Sequence, residues 1–153
     1  MPVIVLLKVK VMKLFSFTVE NDWLQTEHGW GNGYVAVPPE HSLYGKSYKD
    51  KVKVKDTDKI PFNGNFIGLL SAAFDKEDKD ENLIPLDLAI NVHGGITLSK
   101  PADNMKRLPS IIPKNYWIFG FDTAHAGDDQ INWTKEDVRK ETKKFKKQLE
   151  NFK

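Results

Sequence analysis

A chain of 153 residues has about the size of one domain, and a composition of 40% hydrophobic and 29% charged residues is globular rather than disordered. The absence of cysteine excludes disulfides, zinc–thiolate sites, iron–sulfur clusters and cysteine nucleophiles. The net charge of +2, from 23 basic and 21 acidic residues, is too balanced to favour nucleic acid as a partner.

The apolar opening, residues 1–7, is cut short by Lys8, Lys10 and Lys13 and has neither the charged flank nor the cleavage site of a signal peptide. No apolar run approaches the roughly 20 residues of a membrane helix, so a cytoplasmic protein without membrane association is expected. Residues 3–19 are rich in β-branched and aromatic residues, and Val9, Val11, Phe15, Phe17 and Val19 share one parity that Lys13 breaks, which predicts one long strand or two short ones. Met12 offers an alternative start, making residues 1–11 an N-terminal extension of a single domain spanning 1–153.

Residues 29–33, Gly-Trp-Gly-Asn-Gly, predict a hairpin-type turn before a short strand at 34–37 that Pro38 and Pro39 end. A dinucleotide loop would need a strand before it and a helix after it, whereas here the glycines lead into a strand. Residues 40–50 read as a loop, and 51–55, alternating lysine and valine, as a half-exposed edge strand. The stretch 61–74 is open to helix or strand, and 75–82 is a charged loop without the glycine and carboxylate spacing of a calcium loop. Buried strands are expected at 86–92, 96–99 and 116–121, with loop from 100 to 114.

The clearest element is the last. Thr134 and Asp137 form a near-capping box, and Val138, Thr142, Phe145, Leu149 and Phe152 come after it at helical spacing, which predicts an amphipathic helix over about 135–151 with a lysine-rich outer face. The segment 135–153 carries eight Lys/Arg against four Asp/Glu; such a face is ordinarily a solvated one. The expected fold is α+β: a mostly antiparallel sheet of four to six strands with the C-terminal amphipathic helix packed on one face.

The residue types suited to chemistry gather in two glycine-bearing loops, His93-Gly94-Gly95 and Asp122-Thr123-Ala124-His125-Ala126-Gly127-Asp128. Each histidine comes after a predicted central strand, so if those strands are neighbours both loops leave one sheet edge and two imidazoles converge with two or three carboxylates. Two histidines and a carboxylate suit a divalent metal with open positions, drawn from His93, Asp122, His125 and Asp128. Without a metal, Asp122 would orient His125 as a general base while His93 donates to a developing anion. The competing explanation is that aspartates in tight loops bond the loop's own backbone. For a binding site the expected ligand set is His93, Gly94, Gly95, His125 and Asp128, with Tyr44 and Trp30 lining the pocket; Trp133 is a further rim candidate.

The order Gly-Trp-Gly-Asn-Gly-Tyr-Val-Ala-Val-Pro (29–38), His-Ser-Leu-Tyr-Gly (41–45), Val-His-Gly-Gly-Ile-Thr (92–97) and Trp-Ile-Phe-Gly-Phe-Asp-Thr-Ala-His-Ala-Gly-Asp (117–128) resembles a family of small phage and prophage proteins, over roughly residues 29–133. Ser42 departs from the proline of that pattern. The resemblance implies a phage or mobile-element source, action in the host cell cytoplasm, and by analogy counter-defence. Three functions are then expectations: binding of an anionic small ligand, a nucleotide above all, at the His93 and His125 loops; inhibition of a host defence protein without a small-molecule site, through a surface such as 51–55; or hydrolysis of a phosphodiester or glycosidic bond. A homo-oligomer is compatible with each.

Overall fold

The computed structural model describes residues 12–22, 28–54 and 82–152. Its sheet has the order β1-β2-β6-β5, every neighbouring pair antiparallel: β1 is Phe15–Glu20, β2 Gly31–Val37, β5 Leu98–Pro101 and β6 Trp117–Phe121. A second sheet pairs β3 (Lys51–Lys53) with β4 (Leu83–Pro85), also antiparallel. One helical turn, α1 (Leu86–Ala89), and a long helix, α2 (Lys135–Asn151), are the α-helical elements among the described residues. The fold is therefore α+β, with an antiparallel sheet and a C-terminal helix, and none of the described helices is long and apolar enough to cross a membrane.

Helix α2 obeys its sequence signals closely. The Thr134 hydroxyl accepts the Asp137 N–H, and the Asp137 carboxylate accepts the Thr134 N–H in return, so two of the free donors at the helix start are satisfied reciprocally. Val138, Thr142, Phe145 and Leu149 are all buried and press on β1 and β2. The apolar three join Val35, Val37, Phe119 and Phe121 in the larger core, where full burial of each large apolar side chain contributes about 1.5–3 kcal/mol. The opposite sheet face carries a second, smaller core, in which Ala36 and Ile118 lie under Ala102 and Ile112 of the segment after β5.

The glycines of 29–33 serve packing rather than a turn. Strand β2 begins at Gly31, three residues earlier than the sequence suggests, and none of these glycines has positive φ. A β-carbon at Gly31 would strike the Val19 carbonyl, and one at Gly33 would strike Thr142 and the Phe121 ring. The missing side chains let β1 and α2 approach the strand.

The expected strand at 86–92 is not formed. Pro85 precedes a single helical turn, the Leu86 and Asp87 N–H groups donate to Asp50 and Tyr48 carbonyls, and Leu86 and Ile90, four apart, are both buried. A short apolar run reads alike as buried strand or buried helix, and here the (i, i+4) spacing on a proline start decided. Strand β5 begins two residues later than expected and ends at Pro101, with a 3₁₀ turn, Ala102–Asn104, directly after it. The described part of the 51–55 strand alternates as predicted, with Val52 buried between exposed Lys51 and Lys53. The expectations for residues 1–11, 61–74 and most of 75–82 lie outside the described residues.

Candidate functional site

Strands β5 and β6 are antiparallel partners, so the chain entering β5 lies beside the chain leaving β6. His93, five residues before β5, and His125, four residues after β6, therefore meet at one end of the pair. The convergence expected from a strand at 86–92 is achieved instead by the start of β5.

Both histidines sit in turns of the same design. In Val92-His93-Gly94-Gly95 the Gly95 N–H donates to the Val92 carbonyl at 2.8 Å, with Gly94 at φ +69°. In His125-Ala126-Gly127-Asp128 the Asp128 N–H donates to the His125 carbonyl at 2.9 Å, with Gly127 at φ +89°. Positive φ at the third position is the requirement of a type II turn and is met at least cost by glycine. Gly94 has a second reason: a β-carbon there would enter the His125 ring.

The His93 turn is clamped to α2. Its N–H donates to Glu141 Oε1 at 3.0 Å, and the neighbouring Asn91 exchanges two 2.8 Å hydrogen bonds with the Gln148 amide. The Trp133 ring covers the His93 ring at a centroid distance of 4.1 Å and 35°. The His93 and His125 rings meet edge to face, 5.5 Å apart.

Asp128 is the centre of the cluster. Its side chain is buried (6% exposed), so its charge requires partners. Its two oxygens lie 2.8 and 3.0 Å from His93 Nε2, and Oδ2 also accepts the His125 backbone N–H at 2.9 Å. His125 Nδ1 is 3.3 Å from Asp122 Oδ1 and 3.4 Å from Asp128 Oδ2. Those contacts are close enough for charge attraction, but neither has hydrogen-bond geometry, and the nitrogen is buried without a hydrogen-bond partner. Asp122 is held by the Ala124 N–H (3.0 Å) and the Thr97 hydroxyl (2.9 Å). Bonding to the loop's own backbone, the plainer expectation for these aspartates, is thus present, and the imidazole contacts are added to it.

One donor atom from each of His93, His125 and Asp128 can be chosen so that all lie within 4.8 Å of one another. For metal bonds of about 2.0–2.2 Å, tetrahedral ligand atoms stand roughly 3.3 Å apart. The 2.8–3.4 Å contacts around Asp128 are close to that spacing. Asp122 lies outside this trio and reaches it through His125.

The other expected lining residues are placed differently. Tyr44 is exposed against Trp117, 6.0 Å between ring centroids, and the Trp117 indole donates to the Lys46 carbonyl. Trp117 opens β6 whereas His125 lies beyond its end, with about 13 Å of strand between, so Tyr44 is remote from the cluster. Trp30 adjoins the site by backbone alone, its N–H donating to the Trp133 carbonyl at 2.8 Å while Lys135 approaches its ring. Residue type put Trp30 in the expected ligand set, yet Trp133 is the aromatic on His93; Glu141 and Thr97, which steady His93 and Asp122, were missed altogether. Glu141 carried one local signal, its position on the α2 face that also bears Val138 and Phe145.

His41 is a structural histidine. Buried at 4% exposure, it accepts the Leu43 N–H on Nδ1 at 3.0 Å, which leaves Nε2 protonated to donate to the Leu149 carbonyl near the end of α2 at 2.7 Å.

Fold and site together define an α+β protein with a partly exposed His–Asp cluster, built around the buried Asp128, at one end of an antiparallel strand pair. No protein-family model matches the chain, and neither a curated protein nor a solved structure is significantly similar to it.

Proposed function

We propose that the protein binds a divalent metal ion through His93, His125 and Asp128, and through open positions on that ion an anionic small ligand, a nucleotide being the favoured kind. The observation that carries this reading is His125 Nδ1, a buried nitrogen without a hydrogen bond 3.3–3.4 Å from two carboxylate oxygens, on a histidine that together with His93 and Asp128 offers donor atoms within 4.8 Å of one another. Two carboxylates beside two imidazoles repel a bare anion unless a cation stands between. Two histidines and a carboxylate suit Zn²⁺, Mn²⁺ or Fe²⁺ with positions left for ligand or water. A metal on His93 Nε2 would replace the contact that this nitrogen makes with Asp128. Asp122, whose Oδ1 stands 3.3 Å from His125 Nδ1, would add negative charge beside the ion rather than orient the imidazole from its far side.

In its modest form the protein holds the ligand; in its bolder form His93, His125 and Asp128 would hold an ion whose Lewis acidity would serve hydrolysis of a phosphodiester or glycosidic bond. Counter-defence in a phage-infected cell is the setting that the motif resemblance implies. The test is equilibrium dialysis of metal-stripped protein against Zn²⁺ and Mn²⁺ with elemental analysis. About one equivalent is expected in the wild type, with at least a tenfold loss of affinity in His93→Ala and Asp128→Asn variants that still melt cooperatively. Stoichiometric binding unchanged in both variants, or none in the wild type, overturns the reading.

A further inference from the structure

On the sheet face away from α2, a cavity of about 170 Å³ is floored by Tyr34, Leu98 and Met105 and walled by Lys100, Lys106 and Arg107. Tyr34 and Leu98 are the register partners of Gly120 on either side, and the Tyr34 ring lies over that glycine, where a β-carbon would strike it. Among the described residues Arg107 is paired with Asp22, while neither Lys100 nor Lys106 has a carboxylate partner. Three cations thus face a small apolar and aromatic floor with at most one neutralised.

The cavity is adjacent to the His–Asp cluster. Asp122 lies two residues beyond Gly120 on the same sheet face, about 7 Å along the strand. Asp122 and Arg107 both act on the Tyr34 phenol, in opposite senses, while burial, the larger effect, keeps it protonated. Tyr34 Oη is in reach of the Asn32 amide N–H, at 3.5 Å. The charge along this stretch runs from positive around Lys100, the partner of Ile118, to negative at Asp122, about 13 Å along the strand direction.

We propose that this cavity is an anion subsite that takes the phosphate of a small aryl- or nucleoside-type phosphate ester, Lys100, Lys106 and Arg107 holding the oxyanion and Tyr34 and Leu98 supporting the ring. Its role in positioning a ligand toward the cluster rests on the metal-site reading above; its affinity for the anion does not. A phosphate between lysines is held by charge attraction, and the arginine adds a planar fork.

The probe is phenyl phosphate, titrated into metal-stripped protein at low salt and monitored by ¹H–¹⁵N NMR. Shifts are expected at Tyr34, Leu98, Lys100, Lys106 and Arg107, with affinity reduced at least tenfold by Lys106→Glu, an exposed position whose charge reversal should leave the melt intact, and again by Lys100→Glu. Rising salt should weaken binding in the wild type and much less in the variants. No binding to the metal-stripped protein, or binding that both charge reversals leave unchanged, overturns the subsite. If phenyl phosphate binds only to manganese-loaded protein and ignores the reversals, the metal reading stands and the subsite falls. If the metal-stripped protein binds it with the expected losses but takes up no manganese or zinc, the subsite stands and the metal reading falls.

Discussion

Both oxygens of the Asp128 carboxylate lie within hydrogen-bonding reach of His93 Nε2, at 2.8 and 3.0 Å, although the two residues are 35 apart in the chain. The same carboxylate closes its own turn onto the His125 N–H. One buried acid therefore links the entry to β5 with the exit from β6, and its removal has two separable effects. Asp128→Ala leaves the His125 N–H and His93 Nε2 without their acceptor and is expected to cost about 1–3 kcal/mol of stability. Asp128→Asn keeps the shape and an acceptor oxygen, so it should lose less stability while losing metal. Chemical denaturation with metal dialysis on both variants checks this; equal metal affinity in the asparagine variant refutes it.

Gly94 and Gly45 offer a matched pair. Both have positive φ, +69° and +78°, but a β-carbon at Gly94 enters the His125 ring while one at Gly45 meets open space. Gly45→Ala should cost about 1–2 kcal/mol from backbone strain alone. Gly94→Ala should cost more and also displace His125, lowering metal affinity. Equal losses of stability in the two variants would show that the ring contact is immaterial.

The histidines divide by role. His41→Ala removes a buried bridge between the Leu43 amide and the end of α2 and should cost about 1–3 kcal/mol without altering metal uptake by the folded protein. His125→Ala should do the reverse, because its ring makes no hydrogen bond that the fold would lose. Thermal melts beside dialysis on the two variants separate the roles, and a His125→Ala chain that fails to fold would reassign that residue to the scaffold.

The cap of α2 predicts a pH dependence with a definite sign. Hydrogen bonds from the Thr134 hydroxyl and backbone N–H hold the Asp137 carboxyl below its ordinary range. A carboxyl with a lowered folded pKa contributes stability above its unfolded pKa and loses it as pH falls through the folded value. Thr134→Ala removes the hydroxyl and leaves the backbone N–H, at a cost of about 0.5–2 kcal/mol near neutral pH. The gap between wild type and variant should narrow as the solution is taken into the acid range, and a gap independent of pH would show that the hydroxyl does not act on the Asp137 carboxylate.

Phe145 tests the packing of α2. It is fully buried and lies 6.2 Å from Phe121, ring to ring. Phe145→Ala should cost about 3–5 kcal/mol, and a loss below about 1 kcal/mol would mean that the helix is not seated on the sheet as described.

Local physics sufficed for some of this. Helix α2, its cap and its buried stripe are written in residues three and four apart, and β6 in five consecutive aromatic and apolar residues bearing a glycine, a composition that favours a covered strand. The alternation around Val52 was likewise legible, because side chains on a strand take opposite faces. The two histidine loops could be picked out by residue type. Their meeting could not, because it depends on which strands are neighbours: the antiparallel β5–β6 pair brings His93 to His125, and α2 supplies Glu141 from 48 residues away. Tertiary packing also settled the glycines at 31 and 33, which in sequence signal a turn but in space admit a neighbouring strand and helix, and the run at 86–92, whose apolar residues fit helix and strand equally until Pro85 and the contacts of Leu86 and Ile90 chose. Patterns within one element are set by the geometry of the backbone, whereas a site is set by contacts between elements, and those are fixed only when the core has closed.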